Sequence, residues 1–277
     1  MAHRRGGVRL LAMLPDRTPR VRALLGAVVV VGGFVVGRRA YEALVSALTG
    51  NGLGPGLSGV VATALYASFA AGLTIVALRL AGDPATLGEQ LPSQRGVRQV
   101  AVGLCLGAGI VAATLAIELV SGRATVSGPF SRPGLTALAG GLLSLGGIAL
   151  AEELVFRFAL FRIAAGLSSW PVGVTLSSLV YAAAHAGSGR LWPVYLGTLF
   201  CFGIVACQLT VIGRSLWLPI GAHWAWDFAS FAAFRSLPLT LLGVSWVAGL
   251  PYRLSAGVVM LIVMALTAAV LGLIRRG

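Results

Sequence analysis

The stretch Gly134-LTALAGGLLSLGGIALAEELVFRFALFRIA-Ala165 decides the fold. Its first part, 134–151, carries no charge and nearly fills a span at roughly 20 residues per membrane-crossing helix. Glu152 and Glu153 follow at once, and Arg157 comes one helical turn later. A charge at the bilayer centre is disfavoured by roughly 3 kcal/mol even on a lenient scale. The chain has only 8 acidic residues in 277, so two side by side next to lipid-compatible sequence must pair, face a protein interior or do chemistry.

The rest of the chain has the same character. Hydrophobic residues make up 57% and charged residues 10%, with a mean hydropathy of +0.92. Soluble domains carry about 25% charged residues, so a polytopic all-α membrane bundle of about eight spans is expected, with no room for a soluble domain. The net charge of +13 does not indicate a nucleic-acid partner. All 21 basic residues are arginines, and they fall at segment ends, where they anchor helices and set topology. Cys105, Cys201 and Cys207 sit in apolar segments at no metal-binding spacing and read as small buried hydrophobes.

Apolar runs and their breakers divide the chain into 1–21, a basic N-terminus, and 22–133, three helices with their loops. They are followed by 134–235, a core of four helices, and 236–277, a loop and a last helix. The helices are expected near Arg22 to the forties, Ser58–Leu80, Gln99–Val120, Gly134–Ala165, Trp170–Ala186, Leu191–Ile212, Ser215–Phe234 and Ser255–Ile274. Arg38, Arg39 and Glu42 interrupt the first; Gly82–Arg98 reads as a polar loop or surface helix, and Ser121–Pro133 as a loop. Arg9 interrupts the early apolar patch and no small-residue cleavage pattern follows, so a cleaved signal peptide is not expected. The arginine distribution sets both termini on the cytoplasmic side, with Arg123, Arg132, Arg235 and Arg253 as exceptions, and a bacterial plasma membrane is the expected location.

Glu118, Glu152, Glu153 and Asp227 lie in or at the edges of these spans, as do His185 and His223. Glu153 and Arg157, at i and i+4, share a face and can neutralise each other. Glu152 is rotated by about 100° from Glu153, so it points to another neighbour and reads as the unpaired acid. Glu152 and His185 are equidistant from the Gly166-LSSW-Pro171 turn, each about 24 Å along its helix, and so stand level in an antiparallel hairpin. Tyr181, one turn before His185, can donate a hydrogen bond into the site. His223 and Asp227 project from one face as two metal ligands, a substrate-polarising pair, or a pair that only satisfies itself. The same ruler sets His223 roughly 10 Å nearer the cytoplasmic side than His185. No role is assigned to Glu118, and the glycine pairs 140–141 and 146–147 suit close helix packing.

Glu152-Glu153-LVF-Arg157, Tyr181-AAA-His185 and His223-AWA-Asp227, in that order, resemble the motifs of the CPBP family of CAAX proteases and bacteriocin-processing enzymes. The resemblance covers about Gly134 to Phe234. It implies an eight-span intramembrane endopeptidase in which Glu152 acts as base on a water that His185 helps to hold. His223 and Asp227 would bind the oxyanion or, in a metalloprotease reading, a metal. Zn2+ or another divalent ion, held among Glu152, His185, His223 and Asp227, stands beside a metal-free glutamate mechanism. Glu153, Arg157 and Tyr181 are supporting residues. Tyr181 stands where the family has Phe, and Asp227 where it commonly has Asn; an ionised Asp accepts hydrogen bonds but donates none.

The function expected is hydrolysis of a peptide bond in a membrane-associated protein or peptide, with the lipid bilayer as the other partner. A non-catalytic scaffold or immunity-type protein, and a proton-coupled transporter, are the alternatives. The transporter would call for broken helices or internal repeats.

Overall fold

A computed structural model describes residues 19–83, 85, 93–126, 135–186, 193–236, 239–241 and 257–275. Three long helices come first, α1 (Pro19–Gly50), α2 (Pro55–Ala81) and α3 (Gln94–Val120). The decisive stretch follows as α4 (Leu135–Glu153), a π-helical segment (Leu154–Leu160) and α5 (Phe161–Leu167), together one continuous rod. Helices α6 (Trp170–Ala184), α7 (Pro193–Gly213), α8 (Trp217–Ser236) and α9 (Val258–Ile274) complete the bundle. The expected all-α membrane architecture is thus the observed one, and each expected helix has a counterpart.

Five of these helices are long and apolar enough to cross a membrane: α1, α2, α3, the α4–α5 rod and α7. Helices α6 and α9 are apolar but shorter. Helix α8 has the length without the apolarity, because His223, Asp227 and three tryptophans occupy it. It is shielded by protein instead, with Ile220, Ala222 and Trp226 all buried.

Small residues set the packing. A Cβ added at Gly103 or Gly107 of α3 would come within 2.3 Å of the Leu218 carbonyl oxygen or 2.1 Å of that of Ala222. Helices α3 and α8 therefore touch backbone to backbone and run parallel, as small residues permit in lipid. The paired glycines of α4 serve two neighbours. Gly140 and Gly147 face Gly56 and Thr63 of α2, while Gly141 and Gly146 face the Phe231 and Trp224 rings of α8. Helix α4 is thereby fixed between α2 and α8 just before it delivers the two glutamates.

Two local features depart from the sequence reading. The loop expected over Ser121–Pro133 contains a short strand, β1 (Ala124–Val126), paired antiparallel with β2 (Leu239–Leu241) in the segment after α8. Three residues on each side are too few to leave a periodicity. Helix α3 begins at Gln94, capped by the Ser93 hydroxyl accepting from the Gly96 N–H, five residues earlier than expected. The rest of the expected polar stretch, apart from Gly82, Asp83 and Ala85, lies outside the described residues. Glu118, left without a role, is buried at the end of α3 and held by Arg123 Nε at 3.1 Å.

Candidate functional site

The two glutamates end the α-helical part of the rod, and the π-helical segment begins one residue later. Its wide turn is visible in the Phe161 N–H, which donates five residues back to the Phe156 carbonyl. Ser177 of α6 donates to the same carbonyl at 2.7 Å, so a neighbouring helix secures the irregular backbone. Single π-helical insertions occur frequently at functional sites, where they change which way side chains point. Here the segment is wholly buried, including Arg157.

Glu153 faces inward. Its Oε1 is 3.3 Å from Arg157 Nη1 and 2.8 Å from His223 Nδ1. The expected Glu153–Arg157 pair is present, but it is only half of what Glu153 does, since it also orients His223 on α8. The Arg157 guanidinium lies over the Tyr181 ring at 4.4 Å and near Phe202 at 5.5 Å. A planar, weakly hydrated cation stacks well on aromatic faces, which compensates part of its burial.

Glu152 is equally buried and has different partners. Its Oε1 is 3.8 Å from His185 Nε2, and its Oε2 is 3.7 Å from His223 Nε2. The level alignment of Glu152 with His185 across the α5–α6 turn therefore corresponds to a close approach. The roughly 10 Å offset of His223 does not prevent its contact with either glutamate. Counting residues from a turn gives equal heights only for helices of equal tilt and loop length, and the height of α8 against α4 is set by the contacts of Phe231 and Trp224 with Gly141 and Gly146.

The reading of Glu152 as the unpaired acid is overturned. Arg38 of α1 places Nη1 3.2 Å from Glu152 Oε1. No local pattern links positions 114 residues apart. The only sequence signal was the cation itself, inside an apolar run with Glu42 one turn later.

Aromatic groups complete the enclosure. The Tyr181 hydroxyl is 3.4 Å from His223 Nε2, within hydrogen-bond reach of that ring. His185 Nδ1 is 2.8 Å from the Tyr181 carbonyl, which fixes its ring. Phe202 packs against His223 at 4.8 Å between centroids and stacks on Trp226 at 4.5 Å. Asp227 is on the open side, 31% exposed, with Oδ2 3.5 Å from His223 Nε2. The sequence-selected residues Glu152, Glu153, Arg157, Tyr181, His185, His223 and Asp227 are thus brought together.

The charges nearly balance. Arg38, Arg39 and Arg157 face Glu42, Glu152, Glu153 and Asp227, so three cations meet four carboxylates, and one proton held on a histidine or carboxylate makes the cluster neutral. A metal fits this arrangement poorly. Among the described residues no three His, Cys, Asp or Glu side chains are disposed to hold one. Each glutamate already has an arginine at ion-pair distance, where a divalent cation would be repelled.

Chemically, the cluster presents a buried carboxylate beside two imidazoles, with an open edge at His185 and Asp227. Residues 134–229 match the family model described as type II CAAX prenyl endopeptidase Rce1-like, and this interval contains both glutamates, both histidines, Arg157, Tyr181 and Asp227. No curated protein matches the chain. Over residues 134–229 the chain is thus similar to the type II CAAX prenyl endopeptidase Rce1-like family.

Proposed function

We propose that the protein hydrolyses a peptide bond in a membrane-associated protein or peptide, with Glu152 as general base on a water. The observation that carries this reading is the buried Glu152 carboxylate between His185 Nε2 at 3.8 Å and His223 Nε2 at 3.7 Å. Those separations are too long for direct hydrogen bonds, but a water between the groups can bond to both.

In the proposed reaction Glu152, aided by His185, takes a proton from the water, and the resulting hydroxide adds to the substrate carbonyl carbon. The proton passes to the leaving nitrogen as the C–N bond breaks. His223 stabilises the oxyanion. With Nδ1–H donated to Glu153, Nε2 is the nitrogen that faces the reaction, and an imidazolium there donates to the developing charge. Asp227, at 3.5 Å from that nitrogen, compensates the imidazolium and orients it rather than contacting the oxyanion. Such charge stabilisation in a water-poor site is commonly the largest single contribution to rate. No step is derived from a metal, because both glutamates already have arginine partners.

The test is cleavage by the purified full chain in proteoliposomes, using a library of quenched-fluorescent apolar peptides in H2 18O. Cleavage should place 18O in the new carboxyl terminus and should survive dialysis against EDTA. Absence of any labelled product would contradict hydrolysis. A loss on dialysis that Zn2+ restores would contradict the metal-free reading.

A further inference from the structure

The family match begins at residue 134, yet one group touching Glu152 comes from α1, far outside it. Arg38 uses both arms of its guanidinium. Nη1 donates to Glu152 Oε1 at 3.2 Å, and Nε donates to Glu42 Oε1 at 3.2 Å. Glu42 in turn accepts from Arg39 Nη1 at 3.2 Å. The chain Arg39–Glu42–Arg38–Glu152 thus runs from the exposed face of α1 to the buried centre of the site. Arg38 and His185 also share the lining of a small open cleft between α1 and α6, with Phe34 and Glu42.

A glutamate carboxylate rotates freely about its last torsion, because that torsion is broad and two-fold. A charge-assisted hydrogen bond to one oxygen removes that freedom. We infer that Arg38 is a positioning residue for the Glu152 carboxylate: it fixes the carboxylate's rotation, with Oε1 toward α1 and His185 and Oε2 toward His223. Glu42, one turn along α1, keeps the fork aimed. A lysine has one point charge and cannot span both carboxylates with a fixed planar fork. The inference rests on the general-base reading of Glu152.

The experiment compares Arg38→Met, Arg38→Lys, Glu152→Gln and Arg162→Met in the full chain, using the library peptide that the wild type cleaves. Arg162 serves as control because it also pairs across elements, with Asp83, but away from the site. Arg38→Met should lower kcat about 100-fold, the scale of a misplaced catalytic group, with KM unchanged. Arg38→Lys should fall between it and the wild type, and Arg162→Met should match the wild type in both constants. A purely structural Arg38 would shift the unfolding temperature and the active fraction without this graded kcat. Wild-type kcat in Arg38→Met alongside an inactive Glu152→Gln overturns the role of Arg38 alone. A change in KM only would make it a substrate contact and likewise overturns the inference. Wild-type cleavage by Glu152→Gln overturns the general-base reading and the positioning role with it.

Discussion

The two adjacent glutamates open onto regions of opposite character. On the Glu153 side every partner is fully enclosed: Arg157, His223 and the Tyr181 and Phe202 rings are all buried. Glu152 shares the buried His223, but its other partners reach outward, with Arg38 32% and His185 15% exposed. One residue of sequence, about 100° of helical rotation, separates a closed electrostatic frame from an accessible reaction edge. A hydrolytic site needs both, since imidazole and carboxylate must be held still while substrate and water still enter.

The contrast can be broken at its closed end. Arg157→Met should destabilise the protein by about 3–5 kcal/mol, because it leaves the buried Glu153 carboxylate without its arginine. Thermal unfolding in detergent reads this loss, and an unchanged transition would show that Glu153 needs no counter-charge. At the open end, Arg39→Ala should cost only about 0.2–1 kcal/mol, since its pair with Glu42 is solvent-exposed and screened. A loss as large as that of Arg157→Met would erase the distinction between the two regions.

What the sequence made legible follows the reach of its local rules. Helical spacing placed Glu153 with Arg157 and His223 with Asp227, and equal counting from the Gly166–Pro171 turn placed Glu152 with His185. These contacts depend on one helix or one hairpin. The Arg38–Glu152 pair, the double use of Glu153 and the true height of His223 depend on how α1 and α8 lie against α4. That packing is set by glycine contacts between helices distant in sequence, such as Gly107 against Ala222 and Gly140 against Gly56. Glycines in an apolar run announce close approach without naming the partner. The π-helical segment was silent as well, because the composition of Leu154–Leu160 does not separate it from an α-helix and its backbone is held by Ser177 on another helix.

The asymmetry of the doublet also predicts how its members fail. Removing the charge of Glu152 leaves Arg38 partly exposed, so water can solvate it and the fold should persist. Removing the charge of Glu153 would strand Arg157 in the interior. The central claim is that Glu152, and not merely the frame around it, performs the chemistry. The kcat of Glu152→Gln on a cleaved membrane peptide, measured together with its unfolding temperature, tests this most directly. The account predicts a 10²–10⁴-fold loss of kcat, the usual contribution of a general base, with the unfolding transition retained. Wild-type kcat in that variant would contradict it.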